Sequence, residues 1–170
     1  MNEERRQWAD VEEVLAPIPM FRGLSARQRA RLAGRMTRRR YRAGDVIVRQ
    51  GATSMSFYVV VSGSVRIVRH TEVGYGIDIV DEGRGSFFGE MGVIDDLPRA
   101  ATVIAMEPTE CALLAKWDFQ RELRQDPGIA LALVSILNAR IRQLEGRLSS
   151  SAPARGTTAV AGSSSLRGAP

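Results

Sequence analysis

Between Tyr41 and Trp117 glycines cut the chain into short apolar runs, and this limits its folds more than any other feature. The runs are YRAGDVIVRQG, FYVVVSGSVRIVRH, GYGIDIVDEGRG and ATVIAMEPTECALLAKW, punctuated by Gly44, Gly51, Gly63, Gly74, Gly83 and Gly85. β-Branched and aromatic side chains crowd the preceding turn of a helix but pack well on a pleated surface, and glycine opens the positive-φ turns between strands. Short strands at this spacing predict a mainly β domain, an antiparallel sandwich or jelly roll. At 170 residues the chain has room for one such domain with a proper core. Within FYVVVSGSVRIV, alternation predicts that Phe57, Val59 and Val61 face one way, with Val65 and Ile67 continuing inward after the Ser-Gly turn. The single cysteine, Cys111, excludes an internal disulfide and reads as a buried, inert thiol in the run CALLAKW.

Helical periodicity flanks these runs. LSARQRARLAGRM offers Ser25 as an N-cap, with Leu32, Ala33 and Met36 on one face and Arg27, Arg31, Arg35 and Arg38 on another. Like charges at that spacing repel by a few tenths of a kcal/mol per pair, so packing or an external anion must hold the helix. From Arg22 to Arg42 there are nine arginines and no Asp or Glu, in a chain of net charge +5. That stretch reads either as a surface for an acidic partner or as a solvated arginine-rich face. After Trp117, DFQRELRQD is a short helix ending before Pro127. A longer one follows, with Ile129, Leu133, Ile136, Leu137, Ile141, Leu144 and Leu148 spaced as one apolar stripe. The expected organisation is a helical extension over 1–16, a folded domain over 17–148 and a disordered Ser/Ala/Gly-rich tail over 149–170. With neither a signal-peptide pattern nor a run approaching the roughly 20 apolar residues of a membrane span, the expectation is a cytoplasmic protein.

The chemistry is concentrated in FGEMGVIDDLPRAATV. A cyclic phosphate on a ribose asks for close backbone approach, amides aimed at the phosphate, one fixed cation and an acceptor for the ribose hydroxyl. Gly89 permits the approach, EMGVI can form one helical turn with free amides at its start, and Arg99 can grip phosphate oxygens with two prongs. Glu90 can accept from the 2′-hydroxyl, Pro98 stiffens the turn that aims Arg99, and Ala100 and Ala101 leave their amides accessible. Taken singly, Glu90 is also an ordinary first-turn acid and Arg99 an ordinary surface arginine. The stretch is not a P-loop, because the Gly-Lys-Ser/Thr ending is missing. Asp95 and Asp96 read as a solvated pair and His70 stands alone, so no metal site is expected. No nucleophile–base arrangement supports an enzyme.

The stretch resembles the phosphate-binding cassette of cyclic-nucleotide-binding domains, the family of the bacterial catabolite activators and the kinase regulatory subunits. The resemblance continues through PMFRGLSARQRARLAGRMTRRRYRAGDVIVRQG and FYVVVSGSVRIV and covers about residues 17 to 148. It implies an eight-stranded antiparallel β jelly roll, a double-stranded β-helix, with helices on both sides. It also implies a ligand site at Phe88, Gly89, Glu90, Met91, Arg99, Ala100 and Ala101, with Gly89 and Glu90 matching the cassette glycine and ribose-binding glutamate and Arg99 the phosphate arginine. Family members favouring cyclic GMP often carry Thr where this chain has Ala100, so the resemblance favours cyclic AMP over cyclic GMP, with no further cofactor. The places that hold a Thr-Ser pair in the catabolite activator hold Leu144 and Glu145 here, which leaves Arg140 and Glu145 as candidate base contacts. The long C-terminal helix then acts as a moving lid, and its stripe is either a homodimer seam or packs on its own jelly roll. No recognition helix is seen after it, which argues against sequence-specific DNA binding. The expectation is a stand-alone cyclic nucleotide receptor signalling to an unidentified effector protein. The alternatives are an activator-type regulator without its helix-turn-helix, or a ligand-free interaction module.

Overall fold

The structure is a computed structural model and describes residues 10–70 and 76–151. The turn expected at Gly74, the start of the expected N-terminal extension (1–9) and residues 152–170 of the expected tail lie outside the described residues. Helical residues 10–15 (α1) lead through a short turn, Pro19–Phe21, to α2 (Ala26–Ala33). Eight strands follow: β1 (Thr37–Tyr41), β2 (Val46–Val48), β3 (Ser56–Ser62), β4 (Val65–His70), β5 (Gly76–Glu82), β6 (Phe87–Phe88), β7 (Thr102–Ala105) and β8 (Thr109–Ala115). A short helix α3 (Glu90–Ile94) interrupts them, and α4 (Lys116–Gln125) and α5 (Pro127–Ser151) close the chain.

The strands form two four-stranded antiparallel sheets, ordered β1-β8-β3-β6 and β2-β7-β4-β5. This is the jelly roll with flanking helices that the glycine-punctuated runs predict. Val48, Val60, Val65, Phe88, Val103, Cys111 and Leu113 fill the space between the sheets. Burial pushes the Cys111 thiol up to about 12, so this cysteine is chemically quiet.

One expectation is corrected here. Phe57, Val59 and Val61 are buried, but they do not share a face with Val65 and Ile67. Phe57 lies on the opposite, outer side of the first sheet, with Val59 beside it by alternation; there Phe57 stacks on Phe119 of α4 (4.5 Å between ring centroids) and meets Phe21 edge-on (6.1 Å). Tyr58 and Val60 look inward instead. Helices cover the outer face of this sheet, so β3 is apolar on both sides, and alternation cannot tell its two faces apart.

The arginine-rich stretch is corrected too. Helix α2 stops at Ala33 and β1 has begun by Thr37, so Arg35 and Arg38 do not extend the face of Arg27 and Arg31. Ser25 caps α2 as expected, in a reciprocal arrangement with Gln28. Four of the stretch's nine arginines find carboxylates within the fold. The buried carboxylate of Glu122, on α4, accepts from Arg35 (2.6 Å) and Arg31 (3.4 Å), and Gln28 reaches Asp126 (3.3 Å). Glu110 accepts from Arg38 at 2.5 Å and pairs with Arg40. Partial burial pushes the Glu110 carboxyl up, but these two arginines outweigh it and hold it below the ordinary carboxylate range.

The chain packs as two units, Met1–Ile136 and Leu137–Pro170, with the boundary inside α5. In the first unit Ile129 and Leu133 are buried, whereas Leu131 and Val134 are exposed. In the second, Ile141 is exposed and Leu137 half-buried; the side chains of Leu144 and Leu148 lie outside the described residues. The expected stripe is therefore divided, its N-terminal members serving the domain's own core. Among the described residues no helix is long and apolar enough to cross a membrane.

Candidate functional site

The cassette segment begins where β6 ends. Phe88 is buried and stacks on Tyr58 (4.8 Å, 9° between planes), which anchors the strand end in the core. The chain then turns at Gly89 with φ +83°, a left-handed conformation that a Cβ disfavours. It enters α3, where Glu90 is almost fully buried and Met91 is half exposed. The first-turn amides of α3 precede any intrahelical acceptor, as at every helix start. Gly92 lies against Ser54: a Cβ there would collide with the Ser54 side chain and come within 2.8 Å of the Leu97 carbonyl.

After α3 the chain folds back. Asp95 accepts from the Leu97 amide (3.0 Å), and Asp96 takes φ +62°. The segment is then laced to the loop after β2. The Arg99 amide donates to the Ala52 carbonyl (2.9 Å), the Gly51 amide to the Arg99 carbonyl (2.8 Å), Ser54 Oγ to the Leu97 carbonyl (2.9 Å) and the Gln50 amide to Thr102 Oγ1 (3.1 Å). These bonds fix the backbone at Arg99 before its side chain does anything.

That side chain returns to the start of the cassette. Arg99 is only 6% exposed, and its guanidinium donates to the Gly89 carbonyl (3.0 Å) and the Ser56 carbonyl (2.6 Å), lying 5.5 Å from the Tyr58 ring centre. Burial holds its pKa below the ordinary guanidinium value, and the electrostatic influence of neighbouring Tyr58 and Glu90 opposes that shift. A guanidinium stays protonated in a protein all the same. Gly89, Glu90 and Arg99 are thus brought together across the turn. Ala100 is exposed and Ala101 half-buried, and neither amide has a hydrogen-bond partner among the described residues.

Arg99 lines a cavity of about 310 Å³. Val46, Ile47 and Val48 of β2 form an apolar wall, Tyr58 lies beside Arg99, and Arg49 is a second cation at the lining; no Asp or Glu lines it. Arg49, Tyr58 and the β2 wall were absent from the sequence reading. The signal for Tyr58 was the alternation of β3 read with the opposite polarity, while Arg49 had no local signal. Arg140 and Glu145, the candidate base contacts, belong to the second unit and lie on α5, half-buried and exposed respectively.

Comparison with known proteins places this arrangement. The pattern that defines the cyclic nucleotide-binding domain matches residues 38–126. A cAMP-dependent protein kinase regulatory subunit from Mycosarcoma maydis is 36% identical over 67% of this chain, and a cyclic AMP receptor protein from Thermus thermophilus is 34% identical over 75% of it. The chain spans only 22% of the length of the first relative and 59% of the second. In three dimensions it is similar to the Thermus thermophilus catabolite activator protein, with a TM-score of 0.71 at 32% identity, covering 77% of this chain and 62% of that one. The regulatory domain of Toxoplasma gondii PKA, crystallised with cAMP, gives 0.71 at 25% identity, covering 79% and 51%. On the defining pattern, on sequence relatives and on the shared jelly roll, this chain belongs to the cyclic nucleotide-binding domain family.

Proposed function

We propose that the chain is a receptor for cyclic AMP, with cyclic GMP a weaker ligand, and that it passes the bound state to a protein partner. The observation that carries the reading is Arg99, a buried guanidinium fixed at its backbone, held at its head against the Gly89 carbonyl, and lining a cavity. In this reading Arg99 and the unengaged amides of Ala100 and Ala101 take the cyclic phosphate, and Gly89 lets the backbone come close. Glu90 accepts from the ribose 2′-hydroxyl, and the base meets apolar wall. Ala100 offers no hydroxyl to a guanine. Calorimetric titration is expected to give micromolar cyclic AMP binding, about −8 kcal/mol, with cyclic GMP weaker. No heat and no thermal shift with either nucleotide would overturn the assignment.

The output runs through α4. Gln120 of α4 donates to the Val93 carbonyl of α3 (2.8 Å), Lys116 pairs with Asp96, and the Lys116 amide donates to the Met55 carbonyl (3.0 Å). A ligand that favours one position of the cassette therefore biases α4, and through it the start of α5, by its differential affinity for the two positions. The exposed Leu131 and Val134 are offered as a homodimer seam on α5. Sedimentation of the purified chain should show a dimer that Val134→Asp dissociates; a monomer before substitution rejects the seam but leaves the receptor reading in place.

A further inference from the structure

Resting on the receptor reading above, we infer that Arg49 is a second ligand cation of the cavity and supplies the net charge that draws an anionic nucleotide into it. The argument starts from Arg99, whose charge is largely spoken for. Its guanidinium donates to two backbone carbonyls and interacts with the charge of Glu90, a carboxylate only 3% exposed. The +1 of Arg99 and the −1 of Glu90 cancel, so this pair carries no net charge of its own. Such a pair can orient a phosphate at contact distance, but it projects little attraction beyond the pocket.

Arg49 changes that balance. It directly follows β2, and the loop that it opens is the one bound to the Arg99 backbone, with the Ala52 amide donating to the Arg49 carbonyl (3.2 Å). It lines the same cavity as Arg99, it is exposed, and no carboxylate pairs with it among the described residues. Four arginines between residues 31 and 40 contrast with it, since Arg31 and Arg35 share Glu122, and Arg38 and Arg40 share Glu110. Because no Asp or Glu lines the cavity, Arg49 is the uncompensated charge of its wall. A volume of about 310 Å³ suits one mononucleotide rather than several, so the second cation acts on the same single phosphate or its ring. An exposed guanidinium on a flexible stem draws in an anion, whereas the buried, clamped Arg99 fixes its orientation.

The test measures cyclic AMP affinity and association rate for the whole chain and its variants over a range of salt. Arg49→Ala should lower affinity about fivefold to twentyfold at ~0.02 M salt, mainly through slower association, with the deficit shrinking to under about twofold near ~0.5 M, where screening removes the long-range contribution. Arg49→Lys should keep most of the effect, and Arg42→Ala, which removes an exposed arginine outside the cavity lining, should behave like the parent. If Arg49→Ala binds like the parent at every salt concentration while Arg99→Ala does not bind, Arg49 has no ligand role and the receptor reading stands. An equal deficit at low and high salt makes Arg49 a packing residue and equally overturns the inference. If the parent chain itself fails to bind at all salt concentrations, the receptor reading and the inference fall together.

Discussion

Replacing Arg99 with alanine is expected to lower cyclic AMP affinity by roughly 30- to 1,000-fold, about 2–4 kcal/mol, the scale of a lost charge-assisted contact. The side chain also has a structural task, because it bridges the Gly89 and Ser56 carbonyls. Truncation opens those acceptors to water that the guanidinium now excludes, so a stability loss of about 1–3 kcal/mol accompanies the binding loss. The jelly-roll core does not depend on this bridge, since Val60, Phe88 and Cys111 pack without it. Circular dichroism of Arg99→Ala should therefore show the native sheet signature with a lower melting temperature, and calorimetry should show little or no binding. Arg99→Lys separates the two roles: one ammonium retains the charge but cannot reach both carbonyls in the forked geometry. Its affinity should fall between those of the parent and the alanine variant. Parent-like binding by Arg99→Ala would falsify the cassette assignment.

How far the site could be read from the chain follows from where its parts lie. The cassette was legible because its glycine, glutamate and arginine fall within eleven residues, Gly89 to Arg99, and each residue type matches one need of a phosphorylated ribose. The sheet-rich fold was legible because glycines mark the ends of the strands. The inward face of β3 was not, because FYVVV is apolar on both sides: one side meets the opposite sheet and the other meets Phe21 and Phe119. The fate of the arginines was hidden for another reason. Glu122, which receives Arg31 and Arg35, lies 91 and 87 residues away, and on its own helix it reads as an ordinary solvent-facing acid. Arg49 and Tyr58 likewise join the cavity only when β2, β3 and the cassette are folded together. Contiguous chemistry is readable from the chain; pairing across the fold needs the fold.

Gly89→Ala is expected to damage both stability and binding, and the size of each effect identifies its cause. At φ +83° an alanine costs about 1–2 kcal/mol in backbone strain alone. Its Cβ would also run into the Arg99 guanidinium, with the Ser56 carbonyl 3.1 Å away. The guanidinium is the end of a flexible side chain, so it would yield, and in yielding it would leave the carbonyls that hold it in place. Binding should therefore fall by at least about tenfold even where the variant is fully folded, because the phosphate would meet a misplaced cation. Gly89→Asn separates strain from displacement, since asparagine tolerates left-handed backbone far better than alanine but carries the same Cβ. Thermal melting and calorimetry on both variants decide between the two. Recovery of stability in the asparagine variant with binding still lost places the functional cost on Arg99. Recovery of both would mean that the turn at Gly89 serves backbone conformation alone, and the close approach of that glycine to Arg99 would have no part in holding a ligand.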